Sequence, residues 1–205
     1  MYIDVTARRD DWREIYRLCI SFINPRPIAL VSTLGADGAR NLAPFSFYNM
    51  VAANPPVVIL GTGLHRDRRP KDTYVNIRDT REFVIATVTA EIARPMVAAA
   101  TELPYGTSEW ERAGLTPAPA TRVRPALVRE SPVNIECTLR KVETLGDGPG
   151  SAHVVFGDVV AIHVADELLG ADGAIDPRRL RTVGRLGGKW YCTVTEPYEM
   201  EIPPA

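Results

Sequence analysis

Lys71, Asp72 and Thr73 stand at the start of a short amphipathic pattern in which Tyr74 and Ile77, three apart among polar residues, predict a surface helix over Lys71–Thr80. A lysine ammonium, a threonine hydroxyl and the free amides of a helix N-terminus together suit a phosphate group: a point charge, a donor and the positive end of the helix dipole. Asn76, one turn beyond Thr73, falls on the same face and reaches the same region. The plain alternative is a solvated helix start with Asp72 as its cap, a surface lysine and an exposed Asn76. Arg26 precedes the apolar run Ile28–Thr33, and its guanidinium fork suits phosphate and solvent equally. Arg66, Arg68, Arg69 and Lys71 form the densest local positive charge, either recruiting phosphate-bearing molecules or sitting in a solvated loop.

Other chemistries find no support. The 205 residues hold no GxSxG, HExxH, Walker A loop or GxGxxG after a strand, so hydrolase, zinc protease, P-loop and Rossmann readings fail. Cys19, Cys137 and Cys192 are odd in number, widely spaced and without a CxxC, which argues against a disulfide framework or zinc site and fits a reducing cytoplasm. His65 lies in a polar run and His163 on a strand, neither suggesting a metal. Lys and Arg number 24 against 25 Asp and Glu, so the net field gives no reason for a nucleic-acid or anionic-membrane partner. The N-terminal residues show no basic-then-apolar leader, and no apolar run approaches the ~20 residues of a membrane span.

The elements that must hold the candidate residues read mainly as strands. Ile28–Thr33 is rich in strand formers and ends at Gly35-Ala-Asp-Gly38, a hairpin signal. Asn41–Tyr48 and Val57–Leu60 continue a meander across Asn54-Pro55-Pro56, which interrupts a central ladder. Phe83–Val88 follows the predicted helix. Two long strands, Val133–Glu143 and His153–Val164, join through the turn-rich Gly146–Gly150. In the first, Val133, Ile135, Cys137 and Leu139 alternate with Asn134, Glu136, Thr138 and Arg140, predicting one buried and one polar face. Helices are expected near Trp12–Leu18, capped by Asp10 or Asp11 with Glu14 completing a capping box, and at Ile92–Ala100 and Ser108–Ala113. Thr116–Pro132, with Pro117, Pro119, Pro125 and Pro132, should run extended along the surface without packing. At least six strands with few helices imply a barrel or sandwich in one domain over 1–205.

Arg26-Pro-Ile-Ala-Leu-Val-Ser-Thr33, Asp37-Gly38, Asn41-Leu-Ala-Pro-Phe-Ser-Phe-Tyr-Asn49, Pro55-Pro56, Lys71-Asp-Thr-Tyr-Val-Asn76-Ile, Glu130-Ser-Pro-Val133 and Arg185-Leu-Gly-Gly188 occur in the order seen in flavin reductase-like FMN-binding proteins. The chain resembles that family, including its flavoredoxin branch, over most of its length. The resemblance implies a mainly β fold with short helices, a split β-barrel of the FMN-binding type, holding FMN, or alternatively FAD, without covalent attachment. It implies Lys71, Asp72, Thr73 and Asn76 at the phosphate, with Arg26 and Thr33 at the end of the barrel where the cofactor enters. Pro44, Phe45, Ser46, Phe47, Tyr48 and Asn49 would lie along the isoalloxazine and ribityl chain, largely through backbone groups. Many members carry a second serine where Phe47 stands, so only its backbone is left for that contact. Arg185 and Gly187 would belong to a late loop folding near the flavin. His153 resembles a histidine near the reactive edge of the flavin or nicotinamide, although Gly157 follows it by four positions where many flavin reductases have five. The implied activity is NAD(P)H-dependent flavin reduction, with electrons passed to free flavin, oxygen or a monooxygenase partner; the alternative is an electron carrier without nicotinamide activity. A homodimer is implied, with flavin sites at the subunit interface and terminal segments embracing the partner.

Overall fold

Strand-forming runs separated by Gly and Pro turns fold into a seven-stranded antiparallel sheet that curls on itself. The computed structural model describes residues 2–65, 67–104 and 106–203, so Arg66 of the basic cluster lies outside the described residues. In chain order the elements are α1 (Trp12–Phe22), β1 (Arg26–Pro27), β2 (Ala29–Leu34), β3 (Arg40–Phe45), β4 (Tyr48–Ala53), β5 (Pro56–Gly63), α2 (Asp72–Thr80), β6 (Glu82–Thr87), α3 (Ala93–Ala98), α4 (Trp110–Ala113), β7 (Pro117–Ala118), β8 (Leu127–Val128), β9 (Val133–Leu145), β10 (Ala152–Val164), α5 (Pro177–Leu180), β11 (Val183–Arg185) and β12 (Tyr191–Thr193).

The main sheet runs β3-β2-β6-β9-β10-β5-β4, and every pairing is antiparallel. Its two edge strands, β3 and β4, are consecutive in sequence and joined by Ser46–Phe47. The Gly61 amide donates to the Phe47 carbonyl at 2.7 Å, tying that turn to β5. The barrel therefore closes through a covalent turn instead of a ladder, which makes it a split barrel. It also explains why the predicted strand Asn41–Tyr48 is two strands: the chain must leave one edge and enter the other at Ser46–Phe47. A small second sheet, β1-β11-β12, brings the late loop beside the end of α1.

Inside the barrel Val31, Val58, Leu60, Phe83, Ile85, Cys137 and Val155 pack together, while Leu30, Leu42, Val88, Met96, Trp110 and Val128 form a second core under α3 and α4. Gly157 sits on the interior face of β10, where an added Cβ would lie 2.4 Å from Phe83 Cζ. Phe83 is fully buried, so this position has no room for a side chain. His153, Val155 and Gly157 share that face by period two, so the four-residue spacing turns the histidine toward the barrel end.

Three sequence expectations are corrected. Neither Asp10 nor Asp11 caps α1 through its side chain; Asp11 and Glu14 instead both accept from Arg8, at 2.9 and 2.8 Å. Thr116–Pro132 is extended, with β7 and β8 paired, but it is packed: Val123 and Leu127 bury against Val84. In consequence the polar face of β9 is not solvated. Asn134 and Glu136 are buried beneath that segment, Asn134 bridging the Val128 amide and carbonyl and Glu136 collecting the amides of Thr121, Arg122 and Val123. Among the described residues no helix is long and apolar enough to cross a membrane.

Candidate functional site

The helix start singled out by its residue types is held against the sheet by a buried polar network. Asn41 at the start of β3 donates from Nδ2 to Thr33 Oγ1 at 3.2 Å and to Thr73 Oγ1 at 3.0 Å, and Asn76 Nδ2 donates to Thr33 Oγ1 at 3.0 Å. All four residues are buried. Thr33 is thus the pin that fixes α2 to β2, and Asn76 is a structural amide, not an exposed helix residue. Thr73 accepts from Asn41, which leaves its own hydroxyl hydrogen to donate.

Lys71, in extended conformation, is the N-cap residue of α2, and among the described residues no side chain caps the helix. Asp72 therefore does not fill the capping role considered for it. The first-turn amides of α2 lack intrahelical acceptors by geometry, so their donor capacity is available to an anion. These groups open onto a pocket of about 120 Å³ lined by Asn41, Pro44, Phe45, Lys71, Asp72 and Thr73, among others. From the segment between α3 and α4 come lining residues that sequence reading did not connect to the site. Glu109 is buried, accepts the Leu42 amide at 2.9 Å, and has its carboxyl pushed up by burial. Glu102 accepts from Lys71 Nζ at 3.0 Å, and His65 Nδ1 lies 3.3 Å from the same ammonium. His65 stands six residues before Lys71 in the basic run; Glu102 and Glu109 carry no local signal, since only the tertiary fold brings them to β3.

The Ser46–Asn49 stretch follows the lining residue Phe45 in sequence and does not itself line this pocket. Phe47 is half exposed and meets Tyr16 edge-on at 6.4 Å between ring centroids. Tyr48 packs into the barrel core, and burial, with the nearby Cys137 contributing, pushes its phenol up to about 12, so it stays protonated at neutral pH. Asn49 is exposed on the edge strand and accepts from the Met50 amide. Ser46 is partly buried at the turn between the edges.

Arg26 is not a surface residue, and it does not line this pocket. It is buried, and its guanidinium donates to the carbonyls of Ile20 and Ile23 at the end of α1 and of Leu186 in the late loop, at 3.1, 2.6 and 3.0 Å. Arg185 is likewise committed within that loop, donating to the Tyr191 hydroxyl and the Gly188 carbonyl with its charge over the Tyr191 ring. Gly187 abuts α1: an added Cβ would lie 3.2 Å from Ser21 Cα. Gly187→Ala is expected to lose about 1 kcal/mol through this crowding, lowering Tm by about 2–4 °C for a chain of this size; an unchanged Tm in a thermal melt would show that the contact relaxes freely. None of these three residues lines the pocket.

His153 is also outside it. Its ring stacks on Tyr74 at 3.9 Å and 10° between planes, and its Nδ1 lies 3.1 Å from Thr144 Oγ1. Burial, aided by the charge of Arg78, lowers its pKa, which keeps the ring neutral at pH 7. It braces a different face of α2 from the one that opens on the pocket.

The comparisons with known proteins agree with this architecture. The model of the flavin reductase like domain matches residues 22–184. A protein of Aquifex aeolicus is 36% identical over 189 residues, covering 92% of this chain and 94% of its own. Nitrilotriacetate monooxygenase component B from Bacillus cereus superposes with a TM-score of 0.90 at 30% identity, covering 98% of this chain and 99% of that one. The 2-nitrobenzoate 2-nitroreductase NbaA of Pseudomonas fluorescens superposes at 0.85 with 28% identity, covering 99% and 96%. With a family match spanning most of its length and a split barrel to accommodate it, this chain belongs to the flavin reductase-like domain family.

Proposed function

We propose that the protein is an FMN-binding, NAD(P)H-dependent flavin oxidoreductase. The observation that carries this reading is the uncapped start of α2, where the Lys71 ammonium, the Thr73 hydroxyl and the first-turn amides converge on a pocket bordered by Pro44 and Phe45. A pocket of about 120 Å³ is well below the ~300 Å³ at which ligand sites for drug-sized molecules begin. It suits the phosphate end, and the ring system would then lie outside it along Ser46–Asn49. When bound, FMN would supply the redox chemistry, accepting electrons from a reduced nicotinamide and passing them to free flavin, oxygen or a partner protein.

The chain's own work is then binding and orientation. Lys71, Thr73 and the α2 amides hold the phosphate, with Asp72 beside them. Thr33, Asn41 and Asn76 fix the height of α2 over the sheet. The backbone of Pro44, Phe45 and Phe47 and the polar groups of Ser46 and Asn49 border the ring, while Tyr48 supplies a neutral wall. His153 and Tyr74 brace the first turn of α2 from the barrel end. No acid–base side chain is required, because the protein aligns two rings and does not itself break a bond.

Exposed apolar side chains on β4 and β10, namely Met50, Val51, Val160 and Ile162, and Tyr198, Met200 and Ile202 in the C-terminal segment favour a homodimer that completes the ring site. The likeness to a monooxygenase component and to a nitroreductase favours a partner monooxygenase or a nitroaromatic acid as the terminal acceptor.

Anaerobic addition of NADH or NADPH to the FMN-loaded protein is expected to bleach the visible flavin band with at least one donor. Persistence of the band with both would turn the reading to an electron carrier, and failure to retain FMN would remove the flavin reading itself.

A further inference from the structure

Lys71 does not point an unoccupied charge into the pocket. Its Nζ lies 3.0 Å from Glu102 Oε1, and that same carboxylate oxygen lies 3.8 Å from His65 Nδ1. On its other side the His65 ring faces Asp72, Nε2 to Oδ1 at 3.8 Å, so the imidazole is held between the helix start and Glu102. A carboxylate resting on a lysine beside a helix N-terminus occupies the position of a bound anion, and His65 Nδ1, 3.3 Å from the same ammonium, accepts from it and orients it.

We propose that Lys71, oriented by His65, forms an anion clamp whose internal occupant is the Glu102 carboxylate, which the phosphate of a flavin nucleotide displaces on binding. The inference rests on the phosphate assignment made above and adds two residues to it: His65 as the positioning residue of the Lys71 ammonium and Glu102 as an intramolecular competitor.

Charge and chain geometry both favour displacement. Asp72, Glu102 and Glu109 line the pocket together with Lys71, so a phosphate dianion entering beside an undisplaced Glu102 would meet a like charge on the very group meant to hold it. Glu102 can leave. It lies just beyond α3, in the segment 102–104 that has no helix or strand, and its side chain is 57% exposed. The hinge is fixed behind it, because Thr101 Oγ1 donates to the Ala98 carbonyl and accepts from Arg112 Nε. Lys71 and His65 are more enclosed, at 28% and 16%, so the clamp stays while its occupant moves. Removing a competitor held by so exposed a pair is expected to tighten phosphate binding by about two- to fivefold.

The test is to titrate the flavin-stripped protein with FMN and with riboflavin, which lacks the phosphate, following flavin fluorescence for wild type, Glu102→Gln, His65→Ala and Lys71→Met. The proposal expects Glu102→Gln to bind FMN about two- to fivefold more tightly with riboflavin unchanged, and His65→Ala to weaken FMN but not riboflavin. If Lys71→Met weakens FMN while Glu102→Gln leaves it at the wild-type value, the competitor is refuted and the phosphate assignment stands. Equal tightening of FMN and riboflavin by Glu102→Gln would likewise refute competition for an anion, and unchanged FMN binding by His65→Ala would remove the histidine from the clamp. If Lys71→Met binds FMN as wild type does, the phosphate end has been misassigned and both inferences fall.

Discussion

Glu136→Ala is expected to destabilise the protein by about 3–5 kcal/mol, the range for breaking a buried, fully partnered charge. The Glu136 side chain is completely buried in β9, and its two oxygens accept the amides of Thr121, Arg122 and Val123 at 2.9, 2.6 and 2.9 Å. His163 Nε2 on β10 adds a fourth contact at 2.5 Å. Alanine would strand three amides beneath the proline-rich segment, and each buried unmade bond costs about 1–3 kcal/mol. Glu136→Gln keeps one acceptor oxygen and should lose less. Burial works against the Glu136 charge, but the His163 bond and the three amides outweigh it and hold the carboxyl below its ordinary value. A depressed folded value means that the wild-type advantage over Glu136→Gln is fully present above the unfolded glutamate pKa of ~4.3. The advantage is lost as the pH falls through the lower folded value. Urea unfolding at neutral pH and in mild acid measures both effects; a difference that grew on acidification would contradict this account.

That carboxylate also marks where the sequence stopped being legible. Period-two alternation along Val133–Arg140 correctly separates two faces, since Val133, Cys137 and Leu139 are buried. The same pattern says nothing about what covers the other face, and a glutamate there reads as solvated until the chain 13 to 15 residues away supplies its donors. The proline content of Thr116–Pro132 predicted extended backbone and hid the packing, because an extended segment with few partners of its own can still be bound by side chains from below. Arg26 was open to two readings, phosphate or solvent, and its true partners are carbonyls brought together by α1 and the late loop, one of them 160 residues distant.

The site divides along the same line. The predicted helix at Lys71–Thr80 and the observed Asp72–Thr80 agree because capping amides, a basic residue and one apolar face are local signals. Lys71 and Thr73 could accordingly be found from their types, and Pro44 and Phe45 only from the motif order that carries the family resemblance; the structure gathers all four around one pocket. His65, Glu102 and Glu109 could not, because their significance comes from contacts made across the loop and the two short helices. Gly157 illustrates a middle case: its spacing from His153 was visible, and the reason for a glycine was the Phe83 ring opposite it on the adjoining part of the barrel.

Asn41→Ala joins fold and function most directly. The Asn41 amide is the bridge between Thr33 on the sheet and Thr73 on the helix, and no other side chain in the network bonds both threonines. Its loss should cost about 1–3 kcal/mol, since it leaves buried hydroxyls without their donor. Asn76 still ties α2 to Thr33, so the helix should remain folded while its first turn loses its fixed height. FMN affinity should fall about tenfold or more, the size expected when a charge-assisted contact of ~1.5–3 kcal/mol is lost or misplaced. Riboflavin binding should fall less, because the displaced groups are those that face the phosphate. A thermal melt alongside FMN and riboflavin titrations separates the two consequences: a lowered Tm with an unchanged FMN affinity would mean that the network serves stability alone, and that the start of α2 does not hold the cofactor.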